Sequence, residues 1–224
     1  MTRLNVRCLA AYFQRFLVVM VFSFASRFAV SAERPNILLI VSDDQRPDTI
    51  AALGNDVIQT PNLDRLVREG TAFTRATCGN PICTPSRAEI LSGCSSFRNG
   101  VLDFGKSIDP ELPLMARWFA DAEYRTSYVG KWHNDGAPID RGYSKSNGLY
   151  RGGGGKWYKP QVDWFGRPVT GYRGWIFQSD DGTKYPERGV GLMSDISEKF
   201  ADAAIELLEQ PGDKPFFIHV NFTA

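Results

Sequence analysis

The stretch Asn36-Ile37-Leu38-Leu39-Ile40-Val41-Ser42-Asp43-Asp44 decides the fold. Ile37 to Val41 is a continuous apolar run rich in β-branched residues. Such a run predicts a strand buried on both faces, as in a parallel sheet. It ends abruptly in Ser42-Asp43-Asp44, so carboxylates collect at the strand's carboxyl end. In open α/β sheets that end is where ligands bind.

Outward from this strand, helix and strand signals alternate. Thr60 to Gly70 reads as a helix, with Thr60 as N-cap, Pro61 at the first helical position and Gly70 as the C′ stop. Phe73 to Ala76 reads as a short strand, and Pro85 to Ser92 as a second helix. Leu112, Met115, Trp118, Phe119 and Ala122 are spaced to line one side of a third. Thr126 to Gly130 predicts a strand running into Lys131-Trp132-His133. Residues 134–191 read as one long irregular insertion, with Gly152 to Gly155 in a row. Trp157, Tyr158, Trp164, Phe165, Tyr172, Trp175 and Phe177 are interleaved with glycine there, as a substrate rim or a satellite core. Ile196, Phe200, Ala203, Leu207 and Leu208 fall at helical spacing, and Pro215 to Phe222 closes with a buried strand. Alternation of this kind argues an α/β domain.

The 224 residues suit one domain, and 43% hydrophobic against 23% charged residues excludes disorder, collagen and coiled coil. Twenty-six basic and 25 acidic residues give a net charge of +1, with no basic block to bind nucleic acid. Residues 1–32 hold Arg3, Arg7, Arg15 and Arg27, no acid, and the apolar run Leu17 to Ala25 before Val30-Ser31-Ala32. This pattern reads as a secretory signal cleaved after Ala32, with an N-terminal membrane anchor as the alternative. Residues 33–224 then form the domain proper, without a stable membrane span, exported to a periplasmic, extracellular or lysosome-like compartment. Cys78, Cys83 and Cys94 remain, so at least one thiol stays unpaired; Cys78 and Cys94 are a candidate disulfide.

The most specific chemistry lies in Cys83-Thr84-Pro85-Ser86-Arg87. At average usage a C-x-P-S-R pattern arises by chance about once in 10⁵–10⁶ positions. Pro85 is pre-organised for a first helical turn, which puts Cys83 at or just before a helix N-terminus. Free N–H groups and the positive dipole end favour an anion there. Arg87, one turn on, can aim its guanidinium at the same place. A tetrahedral oxyanion is the natural guest.

This motif resembles the signature of the type I sulfatases, within the alkaline-phosphatase-like superfamily. Pro35 to Gln45, Thr60 to Leu66 and Gly130-Lys131-Trp132-His133 resemble the same family in the same order. The likeness covers most of residues 34–134 and resumes weakly at 192–224. It implies an α/β sandwich with a mostly parallel central sheet, of which these residues are the N-terminal part. It also implies a sulfuric ester hydrolase acting on sulfated carbohydrates or aryl sulfates. Cys83 would be oxidised to formylglycine by a dedicated maturation enzyme, and its hydrate would attack sulfur. Asp43 and Asp44, with the oxygen of modified Cys83, would hold Ca²⁺ or Mg²⁺. Lys131 would bridge sulfate and nucleophile, and His133 would hydrogen-bond the diol and help deprotonate it. Gln45 is a candidate at the rim.

Several positions depart from the family pattern. Leu91-Ser92-Gly93-Cys94 replaces a Leu-Thr-Gly-Arg that assists the maturation enzyme. Glu123 stands where glycine is common, and Asn134-Asp135 follow His133 in place of Leu-Gly. His219 lies inside the last strand, whereas the family's later histidine follows it, so His219 reads as structural or supporting. That later Pro-His, a further lysine and a second pair of metal ligands have no counterpart up to Ala224. Residues 33–224 alone are therefore expected to be poorly soluble, with Phe216 to Phe222 as an exposed sheet edge, and to show no turnover. Two other functions remain open: a phosphonate or phosphodiester hydrolase of the same superfamily, and a truncated non-catalytic relative that binds sulfated glycans.

Overall fold

The computed structural model describes residues 34–150, 161–162, 166, 168–169, 176–188 and 194–223. The expected signal sequence, residues 1–32, and the aromatics Trp157, Tyr158, Trp164, Phe165, Tyr172 and Trp175 lie outside them. In chain order the elements are β1 (Ile37–Val41), α1 (Pro61–Glu69), α2 (Cys83–Ser92), α3 (Ser96–Asn99), α4 (Met115–Asp121), β2 (Arg125–Lys131) and β3 (Lys145–Tyr150). There follow β4 (Gln161–Val162), β5 (Pro168–Val169), β6 (Gln178–Ser179), α5 (Ile196–Leu208) and β7 (Phe216–Asn221).

Five strands form one sheet in the order β1-β7-β2-β3-β6. The first four run parallel, and β6 joins β3 antiparallel. The expected α/β architecture is thus present, and β7 is an interior strand between β1 and β2. That corrects the expectation of β7 as an exposed edge. The run Phe216 to Asn221 is buried from Phe217 onward because β1 and β2 flank it on both sides. The edge is β1, and here too the expectation fails: Leu38 is 44% and Ile40 57% exposed, so β1 buries only one face.

The insertion is not irregular throughout. Lys145 to Tyr150 is a full strand of the main sheet, although Lys, Ser, Asn and Gly make it a poor strand by composition. Pairing with β2 holds it in place. Gly148 there has φ +77°, and a Cβ would overlap the Phe177 ring. Phe177 itself is fully buried and stacks on Phe200 at 6.1 Å, so this aromatic of the insertion is core. Phe73 to Ala76 is a turn and no strand, with Phe73 80% exposed. Helix α4 is shorter than the spacing suggested, and Trp118 on it is 65% exposed.

Side chains alternate along β7 and β2 and feed two cores. Phe217 and Tyr128 join Ala88 and Leu91 of α2, Ala116 of α4, Trp132 and Tyr143 on one face. Ile218, Val220 and Val129 join Phe177 and Phe200, Ala203 and Leu207 of α5 on the other. The three described cysteines are free, so the candidate Cys78–Cys94 bridge is not formed.

Candidate active site

Helix α2 begins at Cys83 itself, with Ile82 as an extended N-cap at φ −113°. The Ser86 N–H closes the first turn on the Ile82 carbonyl at 2.8 Å. Pro85 therefore sits inside the first turn, where its missing N–H costs nothing. Cys83 is half-buried at the helix's N-terminal end, while Thr84, Pro85, Arg87 and Ala88 are buried.

Arg87 is only 4% exposed and joins three strands. Its Nη1 donates to the Lys131 carbonyl at 3.2 Å and to Asn221 Oδ1, and its Nη2 to Asp43 Oδ1 at 3.3 Å. Lys131, 1% exposed, directs its ammonium at Asp43 Oδ2. Two buried cations thus face one carboxylate, leaving an excess positive charge at the carboxyl ends of β1, β2 and β7. Burial and the charges of Lys131 and Arg87 push His133 down to about 4, with Asp43 opposing, so its imidazole is neutral near pH 7. His133 and Asp44 both hold the left-handed backbone, at φ 53° each, within three residues of the ends of β2 and β1. Such strain in non-glycine residues is characteristic of functional sites.

The structure gathers Asp43, Arg87 and Lys131 into one network and sets His133 within its field. Cys83 lies one turn before Arg87 on the same helix. Asp44 and Gln45 are exposed beyond Asp43. Asn221 and Tyr128 were not anticipated. Asn221 holds Arg87, and its only sequence signal is an amide at the end of a strand that is apolar but for His219. The Tyr128 hydroxyl donates to the Lys131 carbonyl at 2.6 Å, so that carbonyl is fixed from two sides. His219, read as supporting, does support: Nδ1 bonds the Tyr143 hydroxyl at 2.7 Å, and Tyr128 lies edge-on at 5.0 Å. Burial pushes His219 down to about 3.

A divalent ion can be tested against the donors present. Asp43 and Asp44 are adjacent hard oxygen ligands, which suit Ca²⁺ or Mg²⁺. Among the described residues no three His, Cys, Asp or Glu come together. The two aspartates therefore fit such an ion as part of its shell.

Parallel sheet, crossover helices and an anion-directed helix start at the strands' carboxyl ends define an α/β protein of the alkaline-phosphatase-like class. A profile of the Sulfatase family matches residues 35–224, and the chain belongs to that family. N-acetylglucosamine-6-O-sulfatase of Bacteroides thetaiotaomicron is 36% identical over 101 residues, covering 45% of this chain and 18% of that protein. Arylsulfatase G of Rattus norvegicus is 28% identical over 222 residues, covering 87% of this chain and 42% of that one. A solved structure of a protein in complex with its substrate, D-glucosamine-2-N,6-O-disulfate, superimposes with TM-score 0.66 at 29% identity, over 86% of this chain and 35% of that one. The matched region spans about a fifth of the length of the first curated relatives, at 21%, 18% and 19%.

Proposed function

We propose that this chain supplies the nucleophile-bearing part of a sulfate-ester hydrolase, acting on sulfated carbohydrates or aryl sulfates. The observation that carries the reading is the Cys83 helix start beside the Arg87–Asp43–Lys131 network. Helix N–H groups and two cations favour a tetrahedral oxyanion, and a single carboxylate does not cancel them. Conversion of Cys83 to formylglycine, whose hydrate carries two hydroxyls on one carbon, supplies the nucleophilic oxygen. Asp43 and Asp44 would hold Ca²⁺ or Mg²⁺ with that residue, and the ion would supply Lewis-acid polarisation of a sulfate oxygen.

The chain's own groups do the rest. Lys131 holds negative charge that develops on the sulfate oxygens. His133, neutral near pH 7, accepts a proton from a hydroxyl at position 83. Arg87 fixes Asp43 and the Lys131 carbonyl, so both strands present their ends to one point. The sulfated sugar bound in the superimposing structure, and the sugar-sulfate relative, support a glycan substrate. Export through residues 1–32, and modification by a dedicated maturation enzyme, belong to the same proposal.

Two measurements test it. Peptide mass spectrometry across Ile82–Arg87, after expression with the maturation enzyme, should show H₂S exchanged for O at Cys83 and at neither Cys78 nor Cys94. Calorimetry should show inorganic sulfate binding that Lys131→Met weakens. A persistent thiol, or sulfate binding indifferent to Lys131, would overturn the reading. Residues 33–224 alone should not hydrolyse a chromogenic aryl sulfate with added Ca²⁺, because two carboxylates form only part of a calcium shell of about six to eight oxygens. Competition by a phosphonate monoester stronger than by sulfate esters would favour the phosphonate hydrolase instead.

A further inference from the structure

The loop between the buried anchors Val101 and Ile108, which are 0% and 1% exposed, serves no core. Residues 102–107 are all exposed, and Phe104 among them is 53% so. Its ring nevertheless has a fixed neighbour: it lies over His133, with centroids 5.6 Å apart and planes tilted by 33°. Both ends of the loop are tied to the site. Asn80, three residues before Cys83, donates to the Leu102 carbonyl at 3.1 Å. Asp135, two residues after His133, accepts from the Ile108 N–H at 3.4 Å. Gly105, at φ 70°, turns the chain immediately after Phe104, and the Phe104 N–H is held by Asp103 Oδ1 at 2.7 Å. The chain thus holds a large apolar ring in solvent, against the imidazole to which proton transfer is assigned above.

We propose that Phe104 is a specificity-determining residue, a platform for the ring that carries the sulfate. This rests on the sulfate-ester reading above. A sulfate group is polar on every side and gains nothing from a phenyl ring. An aryl group or the C–H face of a pyranose gains aromatic or apolar contact over one flat face. The platform therefore selects esters whose sulfate is attached to a flat ring over sulfates of short open chains.

Calorimetry on the purified protein decides it, with four probes: inorganic sulfate, ethyl sulfate, 4-nitrophenyl sulfate and glucosamine 6-sulfate. Phe104→Ala should weaken the two ring esters roughly three- to ten-fold and leave inorganic and ethyl sulfate unchanged. Phe104→Trp should restore ring-ester binding. Weakening of 4-nitrophenyl sulfate alone identifies an aryl platform, and weakening of glucosamine 6-sulfate alone a sugar platform. Circular dichroism should show the same thermal midpoint for all three proteins, since the side chain is exposed. Unchanged ring-ester binding in Phe104→Ala would overturn the inference and leave the sulfate reading standing. Equal weakening of inorganic sulfate would also overturn it, since Phe104 would then act only through His133. Absence of binding by all four probes to the unsubstituted protein would overturn the sulfate reading, and the platform with it.

Discussion

The two faces of the sheet use the same strands for different ends. Along β7, Phe217, His219 and Asn221 face the Cys83 helix, while Ile218 and Val220 face α5. One face is aromatic and polar, with Tyr128, Trp132, Tyr143 and His219 edge-on or tilted at 4.9–6.2 Å and Arg87 buried on the same side. The other is mainly apolar, with Phe200 and Ala203 at 0% exposure and Arg188 over the Phe177 ring at 4.7 Å. Polar groups on the first face hold one another in position but leave Arg87 Nε, His219 Nε2 and Asn221 Nδ2 buried without a hydrogen-bond partner among the described residues, so they contribute little net stability. Apolar burial stabilises both faces, and on the second it is the main contribution. The difference teaches that a two-residue period is enough to separate holding the fold from holding the chemistry.

The largest effect that could break this division is on the apolar face. Phe200→Ala should cost about 3–5 kcal/mol in urea unfolding, while sulfate affinity of the folded fraction stays unchanged. A matching loss of affinity would show that the faces are not separable.

Acid comes next, and it should act through the polar face, which holds both histidines of the described chain. Free histidine titrates near 6.5, and burial holds His219 near 3 and His133 near 4. His219 is enclosed by the Tyr143 hydroxyl, the rings of Tyr128 and Phe217, and the charge of Arg87. As pH falls below about 6.5 the unfolded chain takes up protons that the native chain refuses. Stability is therefore complete above about pH 6.5 and is lost as pH falls toward the folded values, by up to about 1.4 kcal/mol per unit for each group. Urea midpoints between about pH 8 and about pH 5 should show this slope, and His219→Asn should flatten it. A wild-type profile that stays level would refute the buried neutral histidines.

Smaller changes sharpen the comparison within the site face. Lys131→Met removes a charge-assisted bond worth about 1.5–3 kcal/mol, and should weaken sulfate by about ten-fold or more in calorimetry. Tyr128→Phe keeps the ring and loses one bond to the Lys131 carbonyl. It should cost only about 0.5–1.5 kcal/mol in stability. A sulfate affinity that also drops in Tyr128→Phe would show that the phenol positions the Lys131–His133 turn.

Local patterns announced much of this. Residues 37–41 are apolar and lead into Ser42-Asp43-Asp44, and β1 places both aspartates at the carboxyl edge. Thr60 and Pro61 do open α1. The Thr60 hydroxyl, however, accepts from the Ala51 N–H and donates to Asp64, each at 2.8 Å, and does not cap the helix. Gly70 ends α1 in an extended conformation at φ −113°, where a Cβ would sit 2.8 Å from the Leu66 carbonyl oxygen. Close approach, not a left-handed turn, is what asks for glycine. At Glu123 the awkward residue was readable, and it does take φ 63°.

By itself the sequence determined the chemistry-bearing motif, a helix opening around Cys83 to Pro85, and the strands whose apolar runs need no partner to be seen. These are local properties: a proline's φ, a run of β-branched residues, an anion-favouring helix start. Only the tertiary structure decided that β7 lies between β1 and β2, that the polar Lys145–Tyr150 segment is a strand, and that Arg87 clasps Asn221 from 134 positions away. Strand order depends on which edges find partners, and a buried guanidinium takes whatever acceptors folding brings to it. Neither leaves a periodic trace along the chain.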